Sequence, residues 1–243
     1  MRTMTSTTAT FEIQRAGERG NADHGWLRTS HSFSFADYID PRRMHWGALR
    51  VFNDDVVAAG RGFGTHPHRD MEILTYVLEG ELEHKDSLGN VGVVGAGAVQ
   101  YVSAGTGLAH SEYNHSAERP VHFVQMWVVP HAAGLAPRYG QVDYTREDRL
   151  NRWLPIATGD AGIAARIAIW QEATAYVARL EAAKLTKSLR ADRKAFLFVG
   201  SGDVTVNGEA LHAGDAVRIA GALELTVTGT GELVLWDVPP YDD

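Results

Sequence analysis

Residues 60–84 read GRGFGTHPHRDMEILTYVLEGELEH, and the reading of the fold starts there. A glycine-rich turn, GRGFGT, leads to His66 and His68. A run of strand formers then reaches a tight turn at Glu79-Gly80, and a second strand pattern follows. Residues two apart on a strand share a face, because successive side chains alternate sides. The arrangement returns in GTGLAHSEYN, where His110 and Glu112 again stand two apart behind glycines. Two such pairs on facing strands supply three imidazoles and a carboxylate to one point. That donor set suits a divalent first-row metal, iron above all, and leaves room for an open coordination position. One His-x-His among eleven histidines is weak evidence alone; the glycine turns and strand patterns around both pairs give it weight.

Outward from these pairs, short alternating strand patterns separated by Gly, Asn and Asp turns fill the chain, from ALRVFND to ELVLWDV. Many short strands at this spacing predict an all-β sandwich or closed barrel. The best helix signal is YTREDRLNRW, where Thr145 and Asp148 resemble a capping box with Asp in place of Glu. The chain also looks duplicated: Tyr76-Val77 corresponds to Phe198-Val199, Gly97-Ala98-Val99 to Gly214-Asp215-Ala216, and VQMWVVP to LVLWDVP. The expected division is a first unit over 1–135, a linker over 136–155 and a second unit over 156–243. Ser188 and Arg190 fall about where His66 and His68 stood, and after His131 the sequence holds a single histidine, His212. The second unit is therefore expected to carry no three-histidine site.

The 243 residues have a formal net charge of −7, which disfavours direct contact with nucleic acid through phosphate neutralisation. The densest basic stretch, KLTKSLRADRK, is short and interleaved with apolar residues, as on a solvated strand face. With no cysteine, disulfides, thiolate zinc sites and iron–sulfur clusters are excluded. The N-terminus shows no secretory h-region, and no apolar run approaches the ~20 residues that span a bilayer. A cytoplasmic protein without membrane contact is the expectation.

Gly60, His66, His68, Glu72 and Gly80 resemble the first cupin motif, and Gly107, His110 and Asn114 the second. Two details depart from the general pattern: seven residues separate Glu72 from Gly80, and Gly105 stands where proline is common. With HSFSFADYIDP and AGTGLAHSEYN, the segments resemble the pirin family over nearly the whole chain, and the shorter second half is similar to the bacterial quercetinase-like pirins. The resemblance implies a bicupin fold, two double-stranded β-helix barrels with one metal in the first. By spacing alone Glu72 is as good a carboxylate ligand as Glu112. The resemblance favours His66, His68, His110 and Glu112, and leaves Glu72 either to orient an imidazole or to be a partly exposed strand residue.

The family includes flavonol dioxygenases of the quercetin 2,3-dioxygenase type, which open the heterocyclic ring with O2 and release CO. The resemblance thus implies a small aromatic, flavonol-like substrate, Fe(II) or alternatively Mn, Co, Ni, Cu or Zn, and Glu112 as catalytic base. A non-enzymatic, metal-dependent regulator that binds a protein partner is the alternative.

Overall fold

Alternation of apolar and polar residues folds the chain into three sheets, paired almost wholly antiparallel, in a computed structural model that describes residues 9–241. Seven strands form the first, in the order Arg138–Val142, Val99–Ser103, Glu72–Glu79, Val121–Val128, Leu49–Val57, Leu27–His31 and Gly20–Asp23. Four form the second: Gly62–His68, Leu108–Asn114, Glu81–Asp86 and Val91–Gly95. Together they wall one barrel. Leu27, Val57, Val77 and Phe123 from the first sheet meet Leu82 and Val94 from the second inside it.

The second barrel is one eight-stranded sheet that curls on itself. Its strands Thr174–Leu189, Lys194–Val206 and Leu223–Val238 are long enough to serve both walls, and Leu180, Leu197, Val217, Leu225 and Leu235 fill its interior. The two barrels meet through a shared apolar layer that includes Phe52, Tyr76 and Met126 from one and Phe196, Phe198 and Trp236 from the other. Its members are fully buried, and each large side chain in such a layer contributes about 1.5–3 kcal/mol.

The duplication is visible bond by bond. In the first barrel Gly97 N–H donates to Val77 O at 2.8 Å and Val77 N–H to Ala98 O at 3.2 Å. In the second, Gly214 N–H donates to Val199 O at 2.8 Å and Val199 N–H to Asp215 O at 3.0 Å. Gly97 and Gly214 have φ of 86° and 87°, and Gly80 and Gly202 have 81° and 82°. These are left-handed values that side-chain-bearing residues rarely adopt.

The structure differs from the sequence reading in four places. Gly80 is not a hairpin turn. Glu72–Glu79 lies in the seven-stranded sheet and Glu81–Asp86 in the four-stranded one, so the glycine turns the corner between them. The segment 136–155 is not a free tether: Arg138–Val142 pairs with Val99–Ser103, and Thr145 caps the short helix Arg146–Arg149 through the expected reciprocal bonds with Asp148. Strand Thr10–Gln14, placed with the first unit by its position, instead edges the second barrel against Ala216–Ala220. Finally, the ladders put Lys187 and Leu189, rather than Ser188 and Arg190, at the positions of His66 and His68. His110 pairs with His66 and Leu108 with His68, as Leu225 pairs with Lys187 and Leu223 with Leu189.

Candidate metal centre

His66 and His68 lie on the edge strand Gly62–His68, and His110 on its neighbour Leu108–Asn114. Antiparallel pairing sets His110 directly opposite His66. The three rings form a near-equilateral triangle, with centroids 4.6 Å apart for His66 and His110 and 4.8 Å for the other two pairs. One nitrogen from each lies within 4.8 Å of the other two. A β-bulge between His110 and Glu112 shifts the register, so Glu112 pairs with Phe63 and not with the residue next to His66 on the same face.

The triad fits a metal ion on two observations. His110 Nε2 is buried with no hydrogen-bond partner among the described residues, an arrangement that costs about 1–3 kcal/mol unless something occupies its lone pair. His66 Nδ1 lies 2.8 Å from Gly64 O, so its Nδ1–H donates there and leaves Nε2 as a free donor atom for a cation. Burial first, then the neighbouring His66 and His84, pushes His110 down to about 3. Burial, then His110 and His66, pushes His68 down to about 4. Both rings are neutral near pH 7, the form that ligates.

Glu112 is brought near His110 but is not part of this triangle; it groups within 4.8 Å with His110 and His84 instead. Its carboxylate is fully buried and held by two amides: Gln100 Nε2–H donates to Oε1 and Gln125 Nε2–H to Oε2, each at 2.7 Å. His84 is no ligand, because Nδ1 faces His110 Nδ1 at 3.3 Å and Nε2 faces Asp86 Oδ2 at 3.2 Å, which engages both ring nitrogens.

Glu72 takes none of the three roles considered for it. It is buried, and accepts from Ser103 Oγ–H at 2.5 Å and from the backbone N–H of Trp170 at 3.1 Å. It therefore clamps the first barrel to the segment entering the second. Its strand parity with His66 and His68 does not carry over, because the chain turns through Asp70 at φ 47° and changes sheet after His68.

His66 and His68 line a cavity of about 280 Å³. Leu27, Phe35, Phe63 and Trp127 give it apolar walls, and Trp127 stands edge-on to His68 at 4.8 Å between centroids. His31, Asn53 and Asp55 also line it; Asn53 Oδ1 is 2.8 Å from His31 Nδ1. Burial lifts Asp55 to about 7, partly offset by the Thr29 hydroxyl and reinforced by Asp54 and Glu112. Of the aromatic and methionine residues near the motifs, Phe52, Phe123 and Met126 are core, and Trp46 reaches across to donate to Ala195 O at 2.9 Å. Larger clefts of about 590 and 710 Å³ contain none of the triad. His84, Asp86, Gln100, Gln125 and Asp55 escaped the sequence reading. Only ELEHKD, with His84 and Asp86 two apart on a strand, carried a signal of the kind that pointed to the candidate ligands.

The sequence profile described as Pirin matches residues 11–128, and that described as Quercetinase C-terminal cupin domain matches residues 155–238. Over 231 residues the chain is 43% identical to a protein named quercetin 2,3-dioxygenase from Escherichia coli (strain K12), covering 94% of this chain and 98% of that one. It is 44% identical over 221 residues to a pirin-like protein of Caulobacter vibrioides, covering 90% and 95%. The crystal structure of the bacterial pirin YhhW of Escherichia coli in complex with nickel(II) superposes with a TM-score of 0.88 at 41% identity, over 96% of this chain and 100% of that one.

Proposed function

Because the chain belongs to the pirin family, we propose that it is a metal-dependent dioxygenase of flavonols such as quercetin, opening the heterocyclic ring with O2 and releasing CO. In this reading His66, His68, His110 and Glu112 hold the ion, and Glu112 is also the base. The observation that carries it is the unpartnered His110 Nε2, aimed into a three-imidazole triangle beside a cavity with aromatic walls. When bound, a divalent ion, Fe(II) in this reading, supplies Lewis acidity toward the 3-hydroxyl oxygen and the means to react with O2.

The protein's own groups do the rest. Phe35, Phe63 and Trp127 sandwich flat rings and displace water from them. Glu112 lines the cavity beside Gln125, which donates to its Oε2, and takes the 3-hydroxyl proton. The Gln100 and Gln125 amides keep the carboxylate from rotating away from that hydroxyl. The neutral histidines leave the centre net positive, which favours an anionic flavonolate.

Loading the protein with Fe(II), Mn, Co, Ni or Cu in turn, and following quercetin absorbance with O2 uptake, tests this. Turnover is expected with at least one metal, falling by about 10²-fold or more in Glu112→Ala and vanishing with bound metal in His66→Ala. Full occupancy with no turnover for any metal overturns the enzyme reading.

A further inference from the structure

We infer that Asp86 and His84 are positioning residues that fix which nitrogen of His110 faces the triad. The inference rests on the metal site proposed above, and it concerns side chains that touch neither the cavity nor the other two imidazoles.

The chain of contacts is continuous and dry. Both His84 and Asp86 have fully buried side chains. Asp86 is anchored first: its Oδ1 accepts the backbone N–H of Leu88 at 2.9 Å and of Asn90 at 3.0 Å, and its Oδ2 accepts Asn90 Nδ2–H at 2.9 Å. Burial opposes its ionisation, but the Asn90 amide and the turn's N–H groups outweigh that and hold it below the usual carboxylate range. An ionised carboxylate only accepts. The His84 nitrogen facing it at 3.2 Å, Nε2, therefore carries the proton. In the neutral ring the other nitrogen, Nδ1, is then an acceptor, and the group facing it at 3.3 Å is His110 Nδ1. His110 must donate from Nδ1–H, which leaves Nε2 as a lone pair. That is the buried atom with no partner. The opposite tautomer would aim a buried N–H at the triad with nothing to accept it.

Two further observations make the relay a device rather than packing. The Tyr139 ring stacks on His84 with centroids 4.3 Å apart and planes 14° apart, which fixes the imidazole plane. In the second barrel, the ladders place Val206 where His84 stands and Leu225 where His110 stands, and the fold is the same. The fold does not need the imidazole pair.

Long-range ¹H–¹⁵N correlation on histidine-labelled, metal-free protein reads the tautomer directly. The expected spectrum has the His110 proton on Nδ1. His84→Phe keeps the stack on Tyr139 and removes the acceptor, so His110 becomes a mixture of tautomers. Asp86→Asn turns a donor toward His84 Nε2, which reverses both rings and moves the His110 proton to Nε2. Ni(II) affinity, by chelator competition, is expected to fall 10–100-fold in each variant. A wild-type His110 protonated on Nε2, or variants with unchanged tautomer and affinity, overturns the relay. The tautomer is read without metal. Wild-type protein with the expected tautomer and no Ni(II) binding therefore supports the relay and sinks only the metal site.

Discussion

The two barrels are copies in backbone and opposites in chemistry. Position by position along the ladders, His84, Thr75, Gln100 and Gln125 of the first become Val206, Leu197, Val217 and Leu235 of the second. His110, Glu112 and Asp55 become Leu225, Val227 and Ala178. The second set, Val227 included, forms one apolar interior. The same cage of strands is therefore stable when filled with hydrocarbon. The first barrel's polar interior is an addition to the fold, carried at the expense of burying the Asp55 and Glu112 carboxylates with several imidazoles and amides. Residues that a fold does not require, yet that converge on one point, are where function is to be sought.

The largest expected effect comes from importing second-barrel residues into the first. His68→Leu or His110→Leu should abolish stoichiometric metal binding, measured by elemental analysis after dialysis, and with it any turnover. In the metal-free state the thermal midpoint should hold or rise, because a leucine already fills the equivalent cage. A variant that unfolds instead would show that the first barrel depends on its histidines for structure.

A smaller effect separates Asp55 from its counterpart Ala178. Asp55 is buried and titrates near 7 in the fold, against an ordinary value near 4. The folded state thus holds this proton more tightly than the unfolded chain. Its contribution is fully present below about pH 4 and is lost as pH rises toward 7. Asp55→Asn removes the loss, so metal-free Asp55→Asn should gain on metal-free wild type by about 3 kcal/mol between pH 4 and pH 8 in urea unfolding. An equal difference at both pH values would refute it.

The smallest contrast asks whether the copies remain equivalent where both keep glycine. Gly97→Ala and Gly214→Ala each force a side chain into the left-handed region and should cost about 1–2 kcal/mol apiece. Added Cβ atoms would also press on the Arg149 guanidinium and on Ala16, respectively. Costs that differ severalfold would mean that these surroundings, not the shared turn, set the price.

Much of this was legible from residues alone. Strand alternation revealed the all-β class, glycine spacing the duplication, and His-x-His with His-x-Glu two pairs of candidate donors on paired strands. Parity failed at Glu72 because it is a rule within one strand, and the chain changes sheet between His68 and Glu72. The strand within the expected linker was missed because AAGLAPRYGQVDY is rich in turn formers, although Arg138–Val142 had a sheet edge waiting for it. The site's supporting residues were hidden for another reason. Gln100, Gln125 and Asp55 lie on three different strands, and their convergence is a property of the ladders, not of any stretch of sequence.

The strand Thr10–Gln14 has a consequence for how the molecule is made. Its ladder partner Ala216–Ala220 lies about two hundred residues further along the chain and is synthesised after it. The earlier strand can pair only once the later one exists, as a clasp waits for its catch. Severed between its halves, the C-terminal product would bare the flank of Ala216–Ala220, a template for sticking to other chains. The two barrels are separate in chemistry and inseparable in assembly.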